Sequence, residues 1–334
     1  MSGNIDNNRE NVICDGDWGG DEMQMLAVLL AHPNIAKIQC VTSVFGNTTH
    51  EHVLKNAGRI LKLFNEDQNI TRYAGHMGPL GEPVLEGDGA HGDDGIGGVK
   101  LDESVVSADE THSCDAILSL LSKAPQGTIT ITATGPQTNL AHAVQKDIST
   151  MKRVKAINIM GGCTDSIPAH DMPTRQGNIT PYGEFNFYMA PKDADAVLNS
   201  GLPINLFPMN CTQQLSFTDK YREKLMAAFE NAPEIGRLLS DLISVPAALD
   251  KNKFNSAPTM HDVHTGFYVV RPDLYEGRRG FVSVEVEGEK RGLSTFTPDD
   301  NGNVFVLETL KDVDALFDVV LDSFKTIFQD QLKA

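Results

Sequence analysis

The chain has 334 residues, of which 40% are hydrophobic and 22% are charged, as is ordinary for a globular protein. Its formal net charge of −17 argues against nucleic acid or an anionic membrane surface as the main partner. No apolar run reaches transmembrane length, and residues 1–10 lack the apolar segment of a signal peptide. The five scattered cysteines form no CxxC pair and are typical of reduced thiols, so we expect a cytoplasmic protein.

The hydrophobic pattern predicts strands that alternate with helices. Strands are predicted at residues 11–14, 38–45, 70–74, 127–133, 154–160 and 203–209. Helices are predicted at residues 21–31, 49–64, 113–123, 137–145 and 311–328, with helical segments over 217–249. A helical or extended apolar run follows residue 262 and ends at 270, and a β-meander is predicted over 280–308. This alternation predicts an α/β protein with an open, mainly parallel twisted sheet flanked by helices.

The domain organisation predicted from the sequence is simple. Residues 1–10 are polar and are expected to be a disordered lead-in. Residues 11–330 contain no internal repeat, low-complexity tract or linker-like segment, so we expect them to form a single domain.

The most informative segment is residues 13–22, ICDGDWGGDE, between the first strand and the first helix. Its four carboxylates are Asp15, Asp17, Asp21 and Glu22. Open α/β sheets bind their ligands at such strand-to-helix turns. This much negative charge in one turn favours a bound hard cation, Ca²⁺ or Mg²⁺, rather than zinc. The alternative is an ordinary solvated acidic loop, against which the glycines argue because they let a ligand approach the backbone.

Later strand ends carry further polar residues. Asn47 follows the second strand and is either a site residue or a helix cap. The glycine-rich residues 75–98, which contain His91 and Asp93, are either a lid or a long loop. The strand over 203–209 leads into Asn210-Cys211-Thr212.

Together these turns resemble the inosine–uridine preferring nucleoside hydrolases. The family's fingerprint, D-x-D-P-G-x-D-D, is similar to DGDWGGDE at residues 15–22. Further similar segments follow in the family's order along nearly the whole chain: VTSVFGN ending in Asn47, HG at His91, TATGPQTNLA around Thr134, IMGG containing Met160, Asn178, EFN at 184–186, and His261-Asp262.

The resemblance implies the nucleoside hydrolase fold and hydrolysis of the N-glycosidic bond of ribonucleosides with a bound Ca²⁺. It implies that the ion is held by Asp17, Glu22, the Thr134 carbonyl and Asp262. Asp17 would also accept a proton from the attacking water, and His261 would protonate the leaving base. The implied substrate-binding residues are Asp21, Asn47, His91, Met160, Asn178, Glu184, Phe185 and Asn186. The implied partner is a small ribonucleoside, and the implied assembly is a homodimer or homotetramer.

The sequence departs from the family pattern at two positions of the fingerprint. Glu22 stands where the family has aspartate, and Trp18 stands where it has proline. Trp18 either packs beside the site or plugs the surface. The leaving-group aromatic residues of the protozoan members are not evident either, since Val245 and Leu249 have the corresponding spacing and Phe254 is the nearest aromatic. The preferred base, purine or pyrimidine, therefore stays open.

The sequence leaves two alternative functions open. Asp15-Gly16-Asp17 is similar to the nucleophile motif of haloacid-dehalogenase-like phosphatases, but Gly19 replaces that family's Thr or Val, and Asp299-Asp300 lies in a turn. A nucleoside-binding protein that lost catalysis when Glu22 replaced aspartate is the other alternative.

Overall fold

A computed structural model of the chain describes residues 8–85, 89–164, 177–245 and 257–333. It contains a nine-stranded sheet, whose strands in chain order are β1 Glu10–Gly16, β2 Ala36–Ser43, β3 Thr71–Tyr73, β4 Ile129–Ala133, β5 Ala156–Met160, β6 Ile204–Phe207, β7 Tyr275–Val284, β8 Ser294–Pro298 and β9 Val304–Leu310. The spatial order is β3-β2-β1-β4-β5-β6-β9-β7-β8. All strands from β3 to β9 in this order are parallel, and β7 is antiparallel to both its neighbours.

Helices connect most of the parallel strands. The α-helices of the described residues are α1 Gly20–Ala31, α2 His50–Leu63, α3 Ser113–Lys123, α4 Thr138–Met151, α5 Phe185–Met189, α6 Pro191–Leu198, α7 Met209–Thr212, α8 Asp219–Ala228, α9 Pro233–Ile243, α10 Val263–Val270, α11 Val313–Ile327 and α12 Gln329–Lys333. The predicted open, mainly parallel sheet flanked by helices is therefore confirmed.

The predicted meander over 280–308 is wrong. Strand β9 does not follow β8 in the sheet but lies between β6 and β7, so that β8 becomes the edge strand. Val304 and Val306 of β9 are fully buried and pair in parallel with β6. Burial of these side chains in the main core therefore determines where β9 lies, and the β7–β8 hairpin is added outside it.

Smaller differences concern the ends of elements. The strand predicted over 203–209 ends at Phe207, because Pro208 has no N–H to donate to a ladder and starts a helical turn instead. The run up to 270 is helical. Glu10, the last residue of the predicted lead-in, already belongs to β1. Residues 1–7 and 246–249 lie outside the described residues.

Both faces of the central parallel strands are buried. Along β1, Val12 and Cys14 pack into one hydrophobic cluster and Ile13 into another. This burial on both faces is typical of parallel sheets covered by helices. Trp18 is fully buried in the first cluster, and its Nε1 donates to the Thr42 carbonyl at 2.8 Å. Trp18 is thus a core residue and does not plug the surface.

The four described ranges contain no membrane-spanning helix. None of their helices combines the length and the apolarity that crossing a membrane requires.

Candidate active site

A cleft opens at the carboxyl ends of the parallel strands. It is lined by Asp17, Asp21, Asn47, Gly89, Ala90, His91, Thr134, Met160, Asn178, Glu184, Phe185, Asn186, His261 and Asp262. Every residue proposed from the sequence for metal binding, catalysis or substrate binding lines it, with one exception. Glu22 is fully buried behind the lining, where its carboxyl group neighbours that of Asp17. The structure therefore brings residues from most of the chain's length to one cavity.

Asp17 is held by the loop that follows β2. Its Oδ2 accepts the backbone N–H of Asn47 at 2.8 Å, and the Asn47 side chain donates to the Asp17 carbonyl at 3.4 Å. A Cβ atom on Gly46 would lie only 1.9 Å from Asp17 Oδ2, so this approach requires glycine. Sequence reasoning placed Asn47 at the sugar and did not find its backbone role in fixing Asp17.

Glu22 has room for its extra methylene because of Gly16. Glu22 lies in the first turn of α1, where its Oε2 accepts the Gly19 N–H at 2.7 Å. Its Oε1 accepts the Thr134 hydroxyl at 3.3 Å. A Cβ on Gly16 would lie 2.6 Å from the Thr134 hydroxyl oxygen and 3.0 Å from Glu22 Oε1. The missing side chain at position 16 therefore accommodates the longer glutamate.

Five buried carboxyl groups surround the cleft. They are Asp17, Asp21, Glu22, Glu184 and Asp262. Burial, and then the neighbouring Glu22 carboxylate, raise the pKa of Asp17 well above its usual value. Burial and the other four carboxylates raise the pKa of Asp262 in the same way. No Lys or Arg is among the described lining residues.

This donor set fits a hard divalent cation. Carboxylate and carbonyl oxygens are the ligands of Ca²⁺ and Mg²⁺, and a cation would offset the repulsion that raises these pKa values. Of the two ions, Ca²⁺ takes six to eight oxygen ligands in flexible geometry, whereas Mg²⁺ requires a near-ideal octahedron, so ligands from separate segments suit Ca²⁺ better.

Glu184 organises the turn before α5. Its carboxylate accepts the backbone N–H groups of Asn186 at 2.9 Å, Gly162 at 2.7 Å and Phe187 at 3.1 Å. Burial nevertheless outweighs these three bonds and raises the pKa of Glu184 to about 7. The Asn178 side-chain oxygen accepts the Phe185 N–H at 2.8 Å. These contacts fix the segment that carries the predicted sugar-binding residues.

Asn186 links this segment to two strand ends. Its side-chain nitrogen donates to the carbonyls of Thr134 at 2.8 Å and Met160 at 3.1 Å. The amide orientation follows from these two acceptors. It leaves the Asn186 side-chain oxygen for the cleft and holds the Thr134 carbonyl in place.

His261 forms the opposite side of the cleft. Its Nδ1 lies 2.7 Å from the Thr212 hydroxyl oxygen, which fixes the ring. Burial, and then the His91 imidazole, lower the pKa of His261 to about 4. His261 is therefore neutral at pH 7 and has one ring N–H to donate. Sequence reasoning gave Thr212 no role, although its position after β6 was a reason to expect a site residue there.

His91 reaches the cleft on a loop that is attached to α2. The Asp93 carbonyl accepts the Thr48 hydroxyl at 2.7 Å, and the Asp94 carbonyl accepts the Asn56 side chain at 2.7 Å. Residues 89–98 thus form an anchored loop, and the side chain of Asp93 does not line the cleft. Residues 86–88 of this stretch, and Leu249 and Phe254 near the predicted leaving-group side, lie outside the described residues.

Asp15 does not face the cleft, which removes the basis of the phosphatase alternative. Its Oδ1 accepts the Thr42 hydroxyl at 2.5 Å and the Asn139 side chain at 2.8 Å. Burial raises its pKa to about 6. Asp15 joins β1, β2 and α4 and does not line the cleft, so it is not placed to act as a nucleophile there.

Comparison with known proteins agrees with this geometry. A family model described as inosine-uridine preferring nucleoside hydrolase matches residues 12–324. An uncharacterised protein of Schizosaccharomyces pombe is 32% identical over 93% of this chain and 97% of its own. The pyrimidine-specific ribonucleoside hydrolase RihA of Shewanella baltica is 30% identical over 84% and 83%.

Solved structures give the same result for the fold. A plant nucleoside hydrolase superimposes with a TM-score of 0.81 at 27% identity, over 94% of this chain and 98% of that chain. A purine-preferring ribonucleoside hydrolase from Gardnerella vaginalis superimposes with a TM-score of 0.83 at 23% identity, over 97% and 99%.

Proposed function

This chain belongs to the inosine-uridine preferring nucleoside hydrolase family, and on that premise we propose that it hydrolyses ribonucleosides with a bound Ca²⁺ ion. Family membership supports hydrolysis of the N-glycosidic bond of ribonucleosides to ribose and free base. The family is metal-dependent. The single observation that carries the choice of ion is the cleft with five buried carboxyl groups and no lining Lys or Arg among the described residues.

The proposed ligands of the ion are Asp17, Glu22, Asp262 and the Thr134 carbonyl. All four are buried, and they come from three segments that meet at the cleft: the β1–α1 turn, the β4–α4 turn and the N-terminus of α10. When bound, Ca²⁺ would make water a better nucleophile at neutral pH and would orient substrate hydroxyl groups.

Asp17 is the proposed general base. Burial and Glu22 raise its pKa, and a carboxylate with a raised pKa is a stronger base than one in water. The Asn47 N–H fixes one of its oxygens, so the other is the one available to accept a proton. Departure of the base places positive charge on the ribose, which the surrounding carboxylates stabilise electrostatically.

His261 is the proposed donor to the leaving base. Burial keeps the His261 ring neutral, so the ring would act through a single N–H. When the Thr212 hydroxyl donates to Nδ1, that N–H is on Nε2. A neutral imidazole is known to serve as an electrophilic donor in enzymes. We place uridine ahead of inosine as substrate, because the RihA relatives, which are 30% and 29% identical, are named pyrimidine-specific.

Removal of the 2′-hydroxyl group should lower the rate strongly. Asp21 and Asn186 are the residues proposed to bind the ribose hydroxyls, and a site built to bind a hydroxyl leaves its polar groups unpaired when that hydroxyl is missing. We expect kcat/KM for 2′-deoxyuridine to be roughly 10²–10⁴-fold lower than for uridine. The rates are measured as free sugar released in Ca²⁺-containing buffer.

The matched variant for this experiment is Asp21→Asn. It should lose most of its activity on uridine but little of the residual activity on 2′-deoxyuridine. Equal turnover of the two nucleosides by the unmodified chain would contradict the proposed ribose contacts.

A further inference from the structure

A second site of metal-binding character lies outside the cleft. His76 follows β3, His112 is the N-cap of α3, and His142 lies in α4. One ring nitrogen from each of the three lies within 4.8 Å of those of the other two. None of the three histidines lines the active-site cleft. We propose that His76, His112 and His142 bind one Zn²⁺ ion that joins the end of β3 to α3 and α4.

The spacing of the rings fits a tetrahedral ion. Zinc–nitrogen bonds of about 2.0–2.1 Å place two ligand nitrogens of a tetrahedral site about 3.3 Å apart. Nε2 of His76 and Nδ1 of His142 are 2.7 Å apart, held by one shared proton. Replacing that proton by a metal ion requires these two nitrogens to separate by roughly half an ångström. The third ring lies close to both, with centroids 4.7 Å from His76 and 5.9 Å from His142.

The protonation state of the cluster also suits a metal. Burial, and then the other histidines, lower the pKa of His76 to about 4. Burial and His142 lower the pKa of His112 as well. These two rings therefore carry lone pairs rather than charge at neutral pH, as metal ligands must. Three imidazoles select zinc, copper or nickel over calcium.

One existing contact opposes binding. Nδ1 of His112 accepts the backbone N–H of Cys114 at 3.2 Å, so the proton of this ring lies on Nε2. Coordination through either nitrogen of His112 forgoes this cap, which costs about tenfold in affinity. Structural zinc sites bind the ion so tightly that a tenfold loss of affinity does not prevent binding. The three rings are half-buried, so solvent can supply a fourth ligand.

The proposed zinc site would also stabilise one side of the active-site cleft. The His76 carbonyl accepts the backbone N–H of Phe45, next to Gly46 and Asn47, at 2.9 Å. The His76 backbone N–H donates to the side chain of Asn139 at 3.0 Å. His76 is therefore tied to the loop that positions Asp17, but none of the histidines contacts the catalytic groups.

The test is zinc binding to the tag-free, metal-stripped chain in excess Ca²⁺, which keeps zinc out of the acidic site. Calorimetry should show one Zn²⁺ per chain for the unmodified protein. The double variant His76→Gln/His142→Gln should bind at least 100-fold more weakly. The control is His32→Gln, because His32, the C-cap of α1, precedes β2 and so lies at the opposite end of the parallel strands from His76, which follows β3. It should bind like the unmodified protein.

A second measurement does not depend on how the variants fold. X-ray absorption of the zinc-loaded, unmodified chain should show a shell of imidazole nitrogens at about 2.0–2.1 Å. A shell of oxygens alone, no zinc uptake, or equal affinity of the double variant and the control would each overturn the proposal. All readouts are independent of nucleoside hydrolysis, so a failure here leaves the proposed function untouched.

Discussion

Replacement of Asp17 by asparagine is expected to remove the bound ion and to lower kcat/KM for ribonucleosides by at least about 10⁴-fold. The variant keeps the volume of the side chain and an oxygen that accepts the Asn47 N–H. It loses the proposed proton acceptor and one charged ligand of the ion. Activity is measured as free ribose and binding by Ca²⁺ calorimetry.

Thermal unfolding separates the loss of function from a loss of fold. Without Ca²⁺, the Asp17→Asn variant should be at least as stable as the unmodified chain, because it removes one of several mutually repelling carboxylates. With Ca²⁺, only the unmodified chain should gain stability, since a ligand stabilises the folded state by RT ln(1 + [L]/Kd) and the variant has lost its affinity for the ion. A calcium-induced rise in melting temperature that is equal in both proteins would contradict the assignment of Asp17.

The matched variant is Glu22→Asp. It restores the family's usual residue and keeps the charge, so we expect it to retain the ion and activity within about tenfold. The Gly19 N–H would lose its present acceptor, Glu22 Oε2. Asp17 would keep its role as the proposed proton acceptor.

Replacement of His261 by alanine is expected to lower hydrolysis of uridine by roughly 10²–10⁴-fold, the usual effect of losing a general acid. The same variant should hydrolyse p-nitrophenyl riboside at nearly the unmodified rate, because p-nitrophenolate leaves without a proton. The measurement is the ratio of kcat/KM values for the two substrates, with and without the substitution.

Equal losses on both substrates would contradict this role and would indicate that His261 only orients the adjacent Asp262. Thr212→Val provides the graded comparison, since it removes the hydroxyl that fixes His261 Nδ1. Thr212 is a positioning residue, so its loss should lower kcat for uridine, spare p-nitrophenyl riboside, and leave Ca²⁺ affinity unchanged.

The sequence predicted the main part of the fold because the parallel strands are short, apolar and separated by amphipathic helices. Their carboxyl ends carry glycines and polar residues, so the acidic turn after β1 was enough to single out Asp17, whereas Asn178 and Asp262 follow no strand and were assigned through the family resemblance. The place of β9 could not be predicted, because local pattern does not distinguish a meander from a strand that joins β6 across the core.

Contacts between distant segments were equally invisible in the sequence. Asn47 fixes Asp17 through its backbone N–H, and every residue except proline has such a group. The fit of Glu22 depends on empty space beside Gly16 rather than on any residue that a motif would report. The three clustered histidines are separated by 36 and 30 positions, and only the packing of α3 on α4 brings two of them together.

The most direct test of the account is release of free ribose from uridine and inosine by the metal-stripped chain, followed by Ca²⁺ titration. We expect no significant turnover without Ca²⁺ and full activity at one Ca²⁺ per chain. Nucleoside binding without ribose release at any Ca²⁺ concentration would contradict the proposal and would indicate a binding protein. Full activity in excess chelator would contradict the role given to the buried carboxylates.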